Sequence, residues 1–134
     1  MIKGFESWSE LDLVTGVLIG EARGETRQGR EGVALTVKTR VEEPCWWGWN
    51  WREVVLCDKQ FSCWEDQNVN SIIESRHKQD ALWLACRQIA IDAYLGNIKD
   101  FIGRPTHYHA NYVSPSWASK LTKLMQVGRH IFYR

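Results

Sequence analysis

The chain has 134 residues, of which 44% are hydrophobic and 25% are charged. This length and composition are typical of one globular domain with one core, and they exclude a disordered chain or a second full domain. The formal net charge of +1 argues against partners recruited by bulk charge, such as duplex nucleic acid or an anionic bilayer.

The N-terminal stretch MIKGFESWSELDLV combines a single lysine with early acidic residues and lacks the long apolar core of a secretory signal peptide. No run approaches the roughly 18 apolar residues that span a bilayer. We therefore expect a monomer that is made in the cytoplasm without a signal peptide and has no stable membrane insertion. A target outside that compartment would require another factor to release the protein.

The apolar periodicity predicts a helical first half. Apolar residues at helical spacing predict a first helix over 9–23, with a serine at its start, and a second helix that includes 33–41 and is ended by Pro44. An Asn-x-x-Glu pattern predicts a short third helix over 50–56. The stretch CDKQFSCWEDQN that follows is irregular.

The second half is predicted to contain the longest helix, over 78–95, which Gly96-Asn97 stops. THYHANYV at 106–113 alternates like a strand, with His107, His109 and Asn111 on one side. Ser114-Pro115 is expected to open a further helix that includes Trp117 and Leu124, and RHIFYR is expected to form a last strand. The elements predict a mainly α (α+β) domain with a small C-terminal β element.

Tryptophan is unusually frequent, with eight residues, four of them in the stretch WWGWNW at 46–51. An indole offers a flat apolar face that can fill a core or stack on a sugar ring or a base. Gly48 and Asn50 break any helical period in this stretch, so the pattern leaves both roles open.

The cysteines are Cys45, Cys57, Cys63 and Cys86, and no two of them form a CxxC pair. A structural zinc site is therefore poorly supported. Reduced and mostly buried thiols are favoured over disulfides, with a Cys45–Cys57 or a Cys57–Cys63 bridge as the alternative.

Glu21 lies at the edge of the apolar stripe of the first predicted helix, within IGEARGE. Partial burial at such a position would raise its pKa and keep it protonated near neutrality. A protonated carboxyl in a cleft can give a leaving glycosidic oxygen the proton that it needs. The structural alternative is an ion pair of Glu21 or Glu25 with Arg23, Arg27 or Arg30.

Glu25 follows Glu21 by one helical turn, which would place their Cβ atoms about 5–6 Å apart on one helix face. Two carboxylates that cleave a glycosidic bond flank that bond, which neighbours on one face do not easily do. We therefore assign the acid role to Glu21. Glu25 receives a supporting role, either positioning substrate or holding an arginine.

Four stretches carry a resemblance to a known family: IGEARGETRQGREGVALTVKTRV, QFSCW, THYHANYVSPSWASKL and VGRHIFYR. In this order they resemble the SleB/CwlJ-type cell-wall hydrolases, a family of spore-cortex-lytic enzymes and related phage endolysins. The similarity runs from about residue 11 to the last residue. The chain departs from it at WWGWNW, where we expect a less aromatic loop, and this leaves the substrate contacts there open.

The resemblance implies a single lysozyme-like or lytic-transglycosylase-like domain over residues 1–134, with Glu21 as the catalytic residue and no cofactor or metal. It implies cleavage between N-acetylmuramic acid (MurNAc) and N-acetylglucosamine (GlcNAc) in peptidoglycan glycan strands. In a lytic transglycosylase one Glu protonates the glycosidic oxygen and then takes the proton of the muramyl C6 hydroxyl. That hydroxyl attacks C1 and leaves a 1,6-anhydro sugar, so no second carboxylate is needed.

The remaining motifs are hypotheses for substrate binding. One wall of the sugar cleft is expected to be formed by Gln60, Phe61, Ser62 and Trp64. The opposite wall is expected to come from the strand, through Tyr108 or Tyr112 with His109 and Asn111. The alternatives are a buried aromatic turn for the first group and a solvent-facing strand edge for the second.

Three other functions stay open. A muramidase would need one water placed opposite Glu21. A zinc-dependent amidase would use His107 and His109, completed by Glu21 or His130, although no HExxH-type motif is present. A non-catalytic module would bind peptidoglycan through its tryptophans. The balanced charge disfavours a nucleic-acid reader.

A member of this family with neither an export signal nor a wall-binding domain fits a phage endolysin. We expect it to accumulate in the host bacterial cytoplasm. It would act at the cell wall or periplasm after release through a membrane lesion made by another protein.

Overall fold

The computed structural model describes all 134 residues, in which five α-helices precede a three-stranded sheet. The helices are α1 (Glu10–Ala22), α2 (Arg27–Glu42), α3 (Trp51–Val55), α4 (Asn68–Lys78) and α5 (Ala81–Leu95). The strands are β1 (His107–Ala110), β2 (Lys123–Val127) and β3 (His130–Tyr133). The predicted mainly helical domain with a small C-terminal β element is confirmed. None of the five helices combines the length and apolar character that crossing a bilayer requires.

Helix α1 lies at the centre of the domain. Ser9 caps its start, where its hydroxyl accepts a hydrogen bond from the Asp12 amide. Every residue over 13–19 is buried, because the other four helices pack around α1. A helix that is enclosed in this way is a fixed support for its last turn, which carries Glu21.

Two glycines let the chain after α3 approach α1 closely. A Cβ at Gly16 would lie 2.6 Å from the ring of Trp64, and a Cβ at Gly20 would lie 2.6 Å from Sγ of Cys63. Both partners belong to a single 3-10 turn, Ser62–Trp64. The turn therefore packs directly against the residue that precedes Glu21.

The sheet is antiparallel with the strand order β1-β3-β2, and Tyr108 of β1 pairs with Phe132 of β3. The Phe132 ring is fully buried against α2 at Gly32, where a Cβ would lie 2.5 Å from the ring. This contact docks the sheet on the helices and holds β1 beside the end of α1.

The first three predicted helices and the last predicted strand are confirmed. The Asn50 side chain caps α3 as expected, accepting a 2.9 Å hydrogen bond from the Glu53 amide. The helix predicted over 78–95 is confirmed as α5 and ends before Gly96 as expected, but it begins later and is not the longest helix. Helix α4 precedes it and was missed, and α2, with 16 residues, is longer than α5, with 15.

The chain breaks between α4 and α5 at Gln79, which adopts a left-handed conformation with φ of 50°. Asp80 then caps α5, where its carboxylate accepts a 2.9 Å hydrogen bond from the Trp83 amide. Helix α4 has a weak apolar pattern, because Ile72 and Ser75 are its only buried residues. Periodicity alone therefore gives little sign of it.

The helix predicted after Ser114-Pro115 is wrong. A single turn at Ala118–Lys120 is followed by β2, which pairs with β3. Thr122 and Arg134 exchange backbone hydrogen bonds of 2.8 and 2.9 Å, and this pairing overrides the local helical pattern. The strand predicted over 106–113 is also shorter, because the chain turns after Ala110.

Candidate active site

Glu21 lies in the last turn of α1, at a cleft of about 420 Å³ between the helices and the sheet. The Tyr108 hydroxyl of β1 donates a 2.7 Å hydrogen bond to its Oε1. The two residues are 87 positions apart in the chain, so this bond joins the central helix to the sheet. Glu21 is the only acidic residue that lines the cleft.

Burial is the dominant influence on the Glu21 carboxyl. It raises the pKa, because the charged form loses its hydration, and the charge of Asp66 adds to this effect. Hydrogen bonds from Tyr108 and Cys63 favour the carboxylate and lower the pKa, but they do not cancel the effect of burial. The site therefore keeps a proton on Glu21 to a higher pH than an exposed glutamate would.

Cys63 and Tyr108 contact Glu21 as uncharged hydrogen-bonding groups. Burial raises the pKa of the Cys63 thiol, and the negative charge of Glu21 raises it further. The pKa of Tyr108 is raised well above its ordinary value for the same two reasons. Cys63 and Tyr108 therefore keep their protons near neutrality, and Glu21 is the most acidic of the three groups. All four cysteines of the structure are free thiols.

Four of the predicted site residues line the cleft: Glu21, Gln60, Phe61 and Tyr108. Five further lining residues were not predicted as substrate contacts: Arg40, Trp46, Lys59, His107 and Trp117. Of these five, Arg40 is the one that the helical pattern could identify as a candidate functional residue, because it continues the apolar spacing of Val33 and Val37 along α2. A charged residue on an apolar helix face is the same kind of signal that identified Glu21.

The other residues predicted for the first wall lie outside the cleft. Trp64 is buried in the core, where its ring centroid lies 4.7 Å from that of Phe5 and 5.9 Å from that of Trp8. Ser62 is exposed and does not line the cleft. The turn thus presents Gln60 and Phe61 to the cleft and uses Trp64 to anchor itself.

Of the residues predicted for the second wall, Tyr108 alone lines the cleft. His109 stacks on Tyr133, and a 2.9 Å hydrogen bond joins its Nε2 to the Tyr133 hydroxyl. Asn111 and Tyr112 lie in the turn after β1, and Tyr112 is 80% exposed. None of the three lines the cleft: Tyr133 engages His109, and Asn111 and Tyr112 lie beyond the end of β1.

Glu25 lies outside the cleft and holds the turn between β2 and β3. Its Oε1 accepts a 2.9 Å hydrogen bond from the Arg129 amide, and its Oε2 lies 4.0 Å from Nε of the same residue. Gly128, with φ of 57°, permits this approach, because a Cβ there would lie 2.8 Å from Oε1. Of the two supporting roles considered for Glu25, its position fits the one of holding an arginine.

The ion pairs considered as the structural alternative for Glu21 and Glu25 do not form with the neighbouring arginines. Arg30 instead donates a 2.8 Å hydrogen bond to the Arg23 carbonyl at the end of α1. Nη2 of Arg27 lies 3.9 Å from Asp92. The Glu21 carboxyl is left facing the cleft without a cationic partner.

The tryptophan cluster divides between core and surface. Trp47 is buried and donates a 2.9 Å hydrogen bond to the Arg40 carbonyl, and Trp51 packs on Tyr94. Trp46 and Trp49 are 62% and 73% exposed, and only Trp46 lines the cleft. One short stretch therefore supplies both core indoles and an exposed indole at the cleft.

The ring nitrogens of the strand histidines are engaged locally. Nδ1 of His107 lies 2.9 Å from Oγ1 of Thr106, and Nδ1 of His109 lies 2.7 Å from the Ala110 carbonyl. The structure places no group of three or more His, Cys, Asp or Glu side chains where they could hold a metal ion. The ligand set considered for a zinc amidase is thus not assembled.

The sequence matches the model of the cell wall hydrolase family over residues 24–133. The chain belongs to this family. The matched segment of this cell wall hydrolase includes Tyr108 and begins three positions after Glu21. No curated protein sequence gives a significant match.

Two solved structures share the fold of this cell wall hydrolase. One is the catalytic domain of the germination-specific lytic transglycosylase SleB from Bacillus anthracis, with a TM-score of 0.74 and 19% identity over 99% of this chain and 100% of that one. The other is the catalytic domain of the Bacillus cereus SleB protein, with a TM-score of 0.71 and 19% identity over 100% of this chain and 95% of that one. At this identity the similarity shows a common fold.

Tyr108→Phe tests the hydrogen bond to Glu21. Loss of the hydroxyl should raise the Glu21 pKa further, because a contact that favours the carboxylate is removed. An acid catalyst is active below its pKa, so the alkaline limb of the pH–activity profile on cell walls should move to higher pH. The maximal rate should fall about tenfold, since a hydrogen bond to a charged group contributes about 1.5–3 kcal/mol.

The matched control is Tyr112→Phe, which removes a hydroxyl from an exposed side chain outside the cleft. Its pH profile should coincide with that of the wild type. An unshifted alkaline limb in a folded Tyr108→Phe enzyme would contradict a role for Tyr108 in setting the acidity of Glu21.

Proposed function

We propose that this cell wall hydrolase is a lytic transglycosylase that cleaves the MurNAc–GlcNAc bond of peptidoglycan, with Glu21 as its single acid and base. The observation that supports this most strongly is the raised pKa of the one carboxyl in the cleft. The SleB protein of Bacillus anthracis, which has a similar fold, is itself described as a lytic transglycosylase.

In the first step Glu21 protonates the glycosidic oxygen. Because the Tyr108 hydroxyl donates to Oε1, we assign the transferable proton to Oε2. As the proton leaves, the same hydrogen bond stabilises the carboxylate that forms. Tyr108 therefore favours the product of proton transfer without supplying a proton itself.

In the second step the Glu21 carboxylate acts as the base. The C6 hydroxyl of the muramyl residue attacks its own C1, and Glu21 takes the hydroxyl proton. The C1–O bond to the leaving sugar breaks, a C1–O6 bond forms, and the C6 hydroxyl proton replaces the one that Glu21 gave to the leaving oxygen. The nucleophile is already part of the substrate, so this step needs no second enzyme carboxylate.

The alternative is a muramidase in which a water replaces the C6 hydroxyl. A water of this kind is usually activated by a second carboxylate, which lies across the scissile bond from the acid. None of the other residues that line the cleft is acidic. This arrangement favours intramolecular attack over hydrolysis.

Glu21→Gln should abolish the release of anhydro-muramyl ends from purified peptidoglycan. The amide keeps the shape of the side chain but has no transferable proton, and general acid–base catalysis contributes about 10²–10⁴-fold to the rate. Mass spectrometry of the released fragments identifies the chemical form of their muramyl ends. Anhydro ends are lighter by one water than reducing ends.

The products also separate the other candidate functions. Reducing muramyl ends from the wild type would identify a muramidase, and free peptides with intact glycan would identify an amidase. A wild type that binds peptidoglycan and releases nothing would identify a binding module. Glu25→Gln is the matched control, because it changes a glutamate outside the cleft and should still give anhydro ends.

Trp46 is suited to stack on a sugar ring of the bound glycan. It is largely exposed, lines the same cleft as Glu21, and packs at 5.4 Å against the buried Trp47 ring. Trp117 offers a second aromatic surface in the cleft, supported by His107 at 5.0 Å. We infer that these two indoles hold the sugars that flank the scissile bond.

Trp46→Ala should raise KM for soluble glycan strands about tenfold and leave kcat within about twofold of the wild type. Loss of a stacking face weakens ground-state and transition-state binding equally, which changes KM alone. Trp49→Ala is the control, because Trp49 is even more exposed but lies outside the cleft. Equal effects of the two substitutions would contradict the stacking role.

We also propose that the enzyme acts as a phage endolysin, made in the host cytoplasm and released to the wall by a lesion that another protein makes. Family membership is compatible with this role, and the role itself is inferred from the resemblance of the sequence to a family that includes phage endolysins. A tagged protein expressed without other phage genes should stay in the cytoplasmic fraction and reach the wall after a membrane-permeabilising protein is added. Its appearance in the periplasm without such a protein would contradict the proposal.

A further inference from the structure

Arg40 of α2 is a buried cation that faces the cleft without an anionic partner. We propose that its guanidinium is a carboxylate-recognition site, which binds a carboxylate carried by the muramyl residue of the glycan. The proposal rests on the proposed function, because it takes the cleft beside Glu21 to be the glycan-binding site. It adds a reason for the enzyme to select anionic glycans over neutral ones.

The guanidinium is held in a fixed orientation. Arg40 is only 5% exposed. Its Nε donates a 2.7 Å hydrogen bond to the Thr106 carbonyl, and its Nη1 donates a 3.1 Å hydrogen bond to Oε1 of Gln60. These acceptors are neutral and come from opposite sides of the cleft. They fix the plane of the group and leave its charge uncompensated.

Nη2 of Arg40 is the free end of the group. It donates no hydrogen bond within the protein and forms no salt bridge. The fully buried side-chain nitrogens that lack a partner are Nε1 of Trp64, Nε1 of Trp83 and Nδ1 of His130. Nη2 is not among them, so it remains accessible from the cleft that Arg40 lines. Its two N–H groups can therefore donate to a bound ligand.

The rest of the cleft does not neutralise this charge. The rings of Trp47, Trp46 and Phe61 lie 5.0, 5.8 and 5.9 Å from the guanidinium carbon, and such contacts stabilise a cation only partly. Burial lowers the pKa of Arg40 to about 10, so it stays charged at neutral pH. Lys59 adds a second positive charge at the cleft.

The acidic and imidazole groups of the cleft are neutral when the enzyme is ready to react. Glu21 carries the proton that it will transfer. Burial lowers the pKa of His107 to about 4, and the charge of Arg40 contributes to this. The reactive cleft is therefore net positive, and a buried charge of this kind is costly unless a ligand pairs with it.

Two sources can provide the carboxylate. In glycan strands stripped of peptide, each muramyl residue carries a free lactyl carboxylate. In intact peptidoglycan that group is joined to the peptide, and the carboxylates belong to the stem peptide. Both present the same planar anion to the guanidinium, which is suited to bind it through charge-assisted hydrogen bonds.

The experiment measures binding in a Glu21→Gln background, so that the strands are not consumed. Calorimetry compares stripped soluble strands, the same strands with their lactyl carboxyls converted to amides, and soluble strands that keep their stem peptides. Amidation should weaken binding about tenfold, the scale of one charge-assisted contact. A further Arg40→Gln substitution should weaken binding of the carboxylate form and abolish the difference between the two forms.

Arg52→Gln in the same background is the matched control. Arg52 is half-buried and, like Arg40, donates to backbone carbonyl oxygens, here those of Phe5 and Trp8, but it lies outside the cleft. It should leave the discrimination between carboxylate and amide intact. Stronger binding of peptide-bearing strands than of stripped strands would identify the stem peptide as the source, and the reverse would identify the lactyl group.

The proposal is overturned if the protein with intact Arg40 binds carboxylate and amidated strands equally and binds peptide-bearing strands no more tightly, even if Arg40→Gln fails to fold. A purely structural Arg40 would give this result. Failure of the proposed transglycosylase function is seen separately, as the absence of anhydro ends from wild-type digests. The two outcomes are therefore distinguishable.

Discussion

The hydrogen bond between Tyr108 and Glu21 is the contact on which the candidate site depends. It joins the last turn of a fully enclosed helix to the first strand of the small sheet. The sheet can reach α1 because Phe132 packs on Gly32 and Glu25 holds the β2–β3 turn. Contacts between elements that are far apart in sequence thus place the Glu21 carboxyl at the wall of the cleft.

Opposing influences set the acidity of that carboxyl. Burial favours the protonated form, which is needed for the first proton transfer, and the hydrogen bonds from Tyr108 and Cys63 favour the carboxylate, which is needed for the second. Gly20 permits the close approach of Cys63, since any larger residue would displace the thiol. A single glutamate that must donate and then accept a proton benefits from such a balance.

The sequence predicted the local features well and the non-local ones incompletely. Helix α1 and the position of Glu21 on it follow from periodicity, whereas the strand motif left Tyr108 and Tyr112 as equal candidates for the cleft wall. Trp46 and Trp117 reach the cleft only through tertiary packing, which no local pattern reveals. The predicted helix that contained Trp117 failed because pairing of β2 with β3 outweighed local helical preference. Trp64 and His109 were placed in the cleft by motif, whereas the structure uses them for packing.

The measurement that tests this account most directly is the pKa of the Glu21 side chain itself. Carbon-13 NMR of the glutamate carboxyl resonances across a pH titration gives that value, and the spectrum of Glu21→Gln assigns the resonance. We expect a pKa above the ordinary value of 4.5, because burial outweighs the hydrogen bonds. A value at or below 4.5 would mean that burial does not help to hold the proton on Glu21, and it would contradict its role as the acid.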